Sequence, residues 1–209
     1  MPVFRSGDPN TPVWSELKFF EILDVLPGQK CTVPFRGPKE RYVCIKGEVS
    51  AFINGQENVV KQYGVLDIPA DADVIFSSEQ GGSVMRLCGD WGEETGATGV
   101  FPVWKNDNPQ NIGDPADYSR NASFDNHYHD CDEYWIIYSG SGRAVSEGII
   151  YEVGVGDCIA TGRGHHHDFP FVYEDVSAVF FETTLVGQKR LGHLWNHTHG
   201  PAEPDMERV

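Results

Sequence analysis

Short apolar runs of about four to eight residues, each broken by glycine, proline or asparagine, recur along the whole chain. Runs of that length, rich in β-branched and aromatic residues, predict strands rather than helices. In the first half they fall at 19–26, 31–35, 42–45, 49–53, 59–63, 65–68 and 84–87. In the second half they fall at 133–138, 143–147, 149–153, 157–160, 167–173 and 176–183, after an isolated run at 99–104. Pro27-Gly28 closes the first strand, and Asn54-Gly55 is a type I′ hairpin signal, since both central residues of that turn need positive φ. Residues 1–16 read as a polar, proline-containing arm suited to packing on a partner subunit. Residues 90–121 read as a Gly/Asn/Asp/Pro-rich connection, and 188–209 as a polar tail with at most a short helix near 191–195.

The strand pattern repeats. A shift of 93 positions carries Glu40 onto Glu133, Gly47 onto Gly140, Asn54-Gly55 onto Glu147-Gly148 and Pro69 onto Gly162, without a gap. Self-similarity at that separation means two copies of one folding unit. The expectation is an all-β chain of two domains, each of about 90 residues.

Composition narrows the function classes. A hydrophobic content of 40%, with 12% aromatics, suffices for packed cores. The net charge of −15 argues against nucleic acid, which proteins grip with Lys and Arg, and against anionic membrane surfaces. No apolar stretch reaches membrane-spanning length, and the N-terminus has no apolar signal region. Five cysteines, odd in number and without CxxC spacing, fit reduced thiols in a cytoplasmic protein.

Candidate chemistry is concentrated late in the chain, where all eight histidines lie at or after position 127. His127 and His129 share one face of an extended strand, because side chains alternate with period two. Glu133 opens the following apolar run, and His167 opens a later one. Three imidazoles and one carboxylate suit a first-row divalent metal. The spacing resembles the cupin superfamily. Its first motif, HxH followed by Glu and then Gly, appears as His127, His129, Glu133 and Gly140; its second appears as Gly156, Gly162, Gly164 and His167. Gly162 stands where the family usually has Pro, and Phe171 where it often has Asn; neither is a ligand position. The resemblance implies two tandem cupin barrels of the jelly-roll, or double-stranded β-helix, type. An N-terminal barrel with its arm would cover 1–92, a C-terminal metal-binding barrel 93–190, and a tail 191–209. It also implies one divalent transition metal per chain (Fe, Mn, Ni or Zn) in the second barrel. In the first, the ligand positions hold Pro34, Arg36 and Val74, and Glu40 alone survives.

Around the ligands, Trp135 shares their face of its strand and reads either as a substrate-stacking ring or as barrel core. Glu182, within an apolar strand, is the best candidate acid or base if it faces inward. His165, ahead of the ligand His167, is a candidate catalytic base, with His166 as the other spare imidazole. Arg163 is placed to meet an anionic substrate group. Asp130 and Asp132 read as solvated loop carboxylates or as partners of the ligand imidazoles. Cys131, between His129 and Glu133, reads as near enough to the metal to be sensitive to oxidation but not as catalytic, Tyr128 as packing, and His193, His197 and His199 as surface or lid. The number of polar candidates favours a metal-dependent isomerase or epimerase moving a proton on a small sugar or sugar-acid-like substrate. A non-haem iron dioxygenase and a non-catalytic small-molecule sensor are the alternatives. Small-molecule recognition, no nucleic-acid or membrane partner, and a homodimer bridged by the arm complete the expectation.

Overall fold

A computed structural model describes residues 3–9, 11–185 and 187–209. Among them the chain runs through β1 (Val3–Arg5), β2 (Leu17–Val25), β3 (Lys30–Val33), β4 (Lys39–Ile53), β5 (Gln56–Lys61), β6 (Val65–Ile68) and β7 (Val74–Ser77). It continues through β8 (Gly82–Gly89), β9 (Thr98–Val103), β10 (Asp132–Ser146), β11 (Ile149–Gly154), β12 (Asp157–Thr161), β13 (His167–Thr183) and the short helix α1 (Asn196–His199). No helix among the described residues is long and apolar enough to cross a membrane. The fold is all-β, built as two curled sheets, one per cupin barrel.

By its contacts the chain divides into two units: residues 16–91 with 98–100, and the described part of 1–15 with 92–97 and 101–209. In the first, strands lie in the order β2-β8-β4-β7-β3, with β5 and β6 also on β4. In the second, the order is β1-β12-β10-β13-β9, with β11 on β10. Each has its own apolar interior, centred on Tyr42, Val74 and Phe76 in one and on Trp135, Ile137 and Phe169 in the other.

β4 and β10 are the spines. Each is predicted from sequence as two strands, yet runs unbroken through 15 residues. The break in hydrophobic pattern is a bend at Gly47 (φ 71°) and Gly140 (φ 77°), where the strand leaves one partner for another. Glu40 to Val43 pair with β6 and Glu48 to Ile53 with β5; Glu133 to Ile136 pair with β12 and Ser141 to Ser146 with β11. Every one of these registers obeys the shift of 93: Glu40 opposite Ile68 becomes Glu133 opposite Thr161, and Ile53 opposite Gln56 becomes Ser146 opposite Ile149. Both hairpins turn on two positive-φ residues, Asn54-Gly55 and Glu147-Gly148. The correspondence slips by one residue in β13, where Arg143 faces Phe171 while its counterpart Ser50 faces Ser77, and a bulge takes up the difference.

The ends of the chain refine the expectations. The arm carries a strand that the sequence pattern did not mark: β1 pairs with β12, burying Phe4 and joining Arg5 Nε to Asp157 Oδ1 at 2.9 Å, and it groups with the second barrel rather than with the first. Residues 191–195 are not helical; the helix starts one residue later, after Trp195 in extended conformation. The polar tail is docked, since Tyr128 and Leu194 exchange two backbone hydrogen bonds of 3.0 Å.

Candidate metal centre

The four residues marked by the sequence meet in one place. His127 and His129 lie just before β10, alternating with Tyr128, which points the other way and donates its hydroxyl to Gly200 O at 2.6 Å. His127 and His167 face each other across an antiparallel bridge, with backbone bonds of 3.1 and 2.8 Å. Glu133 enters from the start of β10. One side-chain donor atom from each of His127, His129, Glu133 and His167 lies within 4.8 Å of all the others, and all four residues are buried.

Backbone carbonyls fix how two of the rings present themselves. His127 Nδ1–H donates to Asp125 O at 2.8 Å and His167 Nδ1–H to His165 O at 3.0 Å, so both Nε2 lone pairs face the cluster. His167 Nε2 lies 2.9 Å and His129 Nε2 3.4 Å from Glu133 Oε2. His127 Nε2 and both ring nitrogens of His129 are buried without a hydrogen-bond partner. Buried polar atoms are rarely orphaned, and a convergent group of them fits a metal ion.

Electrostatics agree with that fit. Burial, followed by the neighbouring imidazoles, pushes His127 well below its ordinary pKa, and burial carries His129 down to about 4. Burial opposes ionisation of Glu133 too, but the attraction of the neighbouring His129 and His167 rings and the hydrogen bond from Trp135 outweigh it and hold the carboxyl at about 2. Neutral imidazoles and an ionised carboxylate are the forms that bind a cation.

The supporting residues divide. Trp135 is core and floor at once, its ring edge-on to His167 at 5.0 Å and packed between Phe101 and Phe124 at 5.3 Å each. Phe180, half-buried, continues this aromatic wall 6.3 Å from Phe101. Glu182 does face inward: it lies opposite Glu133 on β13, with Oε1 3.8 Å from His129 Nδ1 and Oε2 accepting the Ala97 N–H at 2.8 Å. Burial raises its pKa above the usual carboxylate value, against the Ala97 hydrogen bond.

His165 does not reach the cluster with its ring, which is turned toward Asp205 O (2.8 Å) and Glu147 (3.4 Å); only its carbonyl touches the centre, through His167. Arg163 is held by Asp205 at 2.7 Å and lines a surface cleft of about 270 Å³ that none of the four cluster residues borders. Asp130 is forked by Arg190, and Asp132 accepts from Thr184 Oγ1 (2.7 Å), the Arg163 N–H (2.9 Å) and Arg208. His166 binds Asp114 at 2.9 Å. Each of these groups ties down the tail or a loop, because an Asp beside a ligand on an alternating strand points away from the metal side.

Two further residues reach the cluster: Asp125, which went unread in the sequence, and His193, which was read only as surface or lid. Asp125 had a signal, since it sits two residues before His127 and so shares its face. His193 had none: it is brought in by the docked tail, and its ring stacks on His127 at 3.7 Å and 3°.

In the first barrel the equivalent position is filled by a guanidinium. Arg86 reaches buried Glu40 through Nη2 (2.5 Å) and Nε (3.2 Å), Pro34 O at 2.7 Å and Glu21 at 2.9 Å, while Tyr42 donates to Glu40 at 2.9 Å.

The fold and these residues define a cupin-fold protein with a three-histidine, one-glutamate cluster in its second barrel. Solved structures sharing the fold include vicilin from Corylus avellana (hazelnut), with a TM-score of 0.63 and 9% identity over 90% of this chain and 81% of that one. Another is a variant of the oxalate decarboxylase OxdC of Bacillus subtilis, with a TM-score of 0.58 and 10% identity over 87% of this chain and 76% of that one. At these identities the likeness is one of fold. The chain belongs to the family of the uncharacterized protein y4oW of Sinorhizobium fredii, to which it is 43% identical over 213 residues, covering 100% of this chain and 97% of that one. No protein-family model matches it.

Proposed function

We propose that the second barrel holds one divalent first-row metal ion on His127, His129, Glu133 and His167, and that the protein is a metal-dependent enzyme moving a proton on a small, oxygenated metabolite, as an isomerase or epimerase does. The observation that carries this reading is the convergence of buried, unpaired imidazole nitrogens on an ionised carboxylate, with a second carboxylate, Glu182, alongside. Four protein donors leave one or two positions of a five- or six-coordinate ion open, and an ion bound there supplies Lewis-acid polarisation of a substrate oxygen. Glu182 would take up and return the proton, with Oε2 anchored by Ala97 and Oε1 on the cluster side, 3.8 Å from His129 Nδ1. Trp135, under His167, sets the floor against which the substrate rests. The Arg86–Glu40 pair makes the first barrel a metal-free, structural copy.

A second reading, a non-haem iron dioxygenase, is favoured by the aromatic wall of Phe101, Phe124 and Phe180. It gains ground because Asp130, Asp132, His165 and His166 are engaged elsewhere and leave Glu182 to carry the proton chemistry.

The deciding experiment is elemental analysis of untagged protein, together with oxygen uptake and solvent-deuterium incorporation on a panel of sugar acids, diketones and catechols. Zinc, manganese or nickel with deuterium incorporation supports proton transfer. Iron with substrate-dependent oxygen uptake establishes the second reading, and a stoichiometric metal with neither leaves a binding protein. Absence of bound metal overturns the centre itself. Glu182→Gln is expected to keep the metal and lower turnover by about 100-fold or more; unchanged turnover removes Glu182 from the mechanism.

A further inference from the structure

The C-terminal tail does more than cover the barrel. Arg190 forks Asp130 at 2.8 and 3.0 Å, Leu194 pairs with Tyr128, and the Asn196 N–H donates to Asp114 at 2.7 Å. These ties bring the segment between them across the metal cluster, and its inner side carries His193 and Trp195. Both donate to one oxygen of Asp125, His193 Nδ1–H at 2.9 Å and Trp195 Nε1–H at 3.0 Å. The same Asp125 offers its backbone carbonyl to His127 Nδ1–H.

His127 is therefore held twice by one residue, directly through the carbonyl and indirectly through the imidazole that Asp125 presses flat against it. An imidazole ligand has one soft torsion that swings Nε2 off a metal. A parallel ring at 3.7 Å blocks that swing on one side, and the Nδ1–H bond sets its angle.

We infer that residues 188–200 form a wall of the metal centre, in which the Asp125–His193 pair positions His127 so that metal affinity depends on the docked tail. The inference rests on the metal-ligand reading above. His193 acts here as a positioning residue, and its Nδ1 is already committed to Asp125. Coupling of this kind is reciprocal: a tail that tightens the metal site must itself be tightened by the metal.

The test uses the full chain, stripped by chelator and titrated with Zn²⁺ against a chromophoric competitor, with Co²⁺ absorption as a readout of ligand geometry. Wild type is expected to take up one ion per chain. His193→Ala is expected to weaken binding by about 10- to 100-fold at unchanged stoichiometry and to alter the Co²⁺ bands. His193→Phe, which retains a flat ring over His127, is expected to recover part of the loss. Arg190→Ala, whose contacts are with Asp130, Tyr128 and the His199 carbonyl rather than with a ligand side chain, is expected to weaken binding through undocking, and Zn²⁺ is expected to slow tryptic cleavage after Lys189 in the wild type. Affinity and Co²⁺ spectrum unchanged in His193→Ala would overturn the inference while leaving the metal centre standing. A fall from two ions to one would also overturn it, by making Asp125 and His193 ligands in their own right. A wild-type chain that takes up no ion removes the metal centre, and this inference with it.

Discussion

Individual side chains decide what each barrel can bind. In the second barrel, the His127 and His129 rings, lowered by burial and carrying unpaired nitrogens, face a carboxylate held at about 2. His129→Ala or Glu133→Ala is expected to abolish stoichiometric metal while the chain stays folded, read by elemental analysis beside circular dichroism. Metal retained in both would show that the ligands lie elsewhere. In the first barrel the Arg86 guanidinium pairs with Glu40, the counterpart of Glu133, and its removal strands a buried carboxylate. Arg86→Met is expected to cost about 3–5 kcal/mol in denaturant unfolding, and adding Glu40→Gln should return much of it. A single variant as stable as wild type would mean that Glu40 does not depend on Arg86.

At the scale of elements, the bent spine strands put Glu133 and the β10–β11 hairpin on the same polypeptide. Gly140 makes the bend possible: its φ is 77°, and a Cβ there would run into the Asp175 carbonyl. Gly140→Ala is expected to destabilise by roughly 1–2 kcal/mol from the left-handed backbone alone, with the clash adding to it. Gly148, also at positive φ but with open space around it, should show the backbone cost without the clash. Equal losses at the two positions in thermal unfolding would show that the Asp175 contact relaxes without cost.

Across the whole C-terminal unit, aspartates hold the tail. Burial raises Asp114, but hydrogen bonds from the Asn196 N–H, His166 and His197 lower it further, and Arg190 and Arg163 lower Asp130 and Asp205. Carboxylates whose pKa falls on folding stabilise the docked tail in full above their unfolded value, near 3.9, and lose that contribution as pH drops through the folded one. Tail docking, followed by hydrogen exchange at Leu194, is therefore expected to persist through neutral pH and to weaken on acidification below about 4. Asp114→Asn should flatten part of that dependence; an acid limb of unchanged height would clear Asp114 of the role.

The sequence by itself determined the β architecture, the two-copy arrangement, the hairpin turns and the four-residue cluster. All of these are written in short-range spacing: period two sets which residues share a face, positive-φ turns favour Gly and Asn, and a repeat is read against itself. It could not place the groups whose partners are remote. Asp130 meets Arg190 across 60 positions, Asp125 meets His193 across 68 and Arg86 meets Glu40 across 46. Nothing local distinguishes a solvated aspartate from one that will receive an arginine from the far end of the chain. Only the folded chain decided that Asp130, Asp132, His165 and Arg163 serve the tail, that Glu182 turns inward, and that His193 lies on His127, because those choices depend on which segments the closed barrel brings into contact.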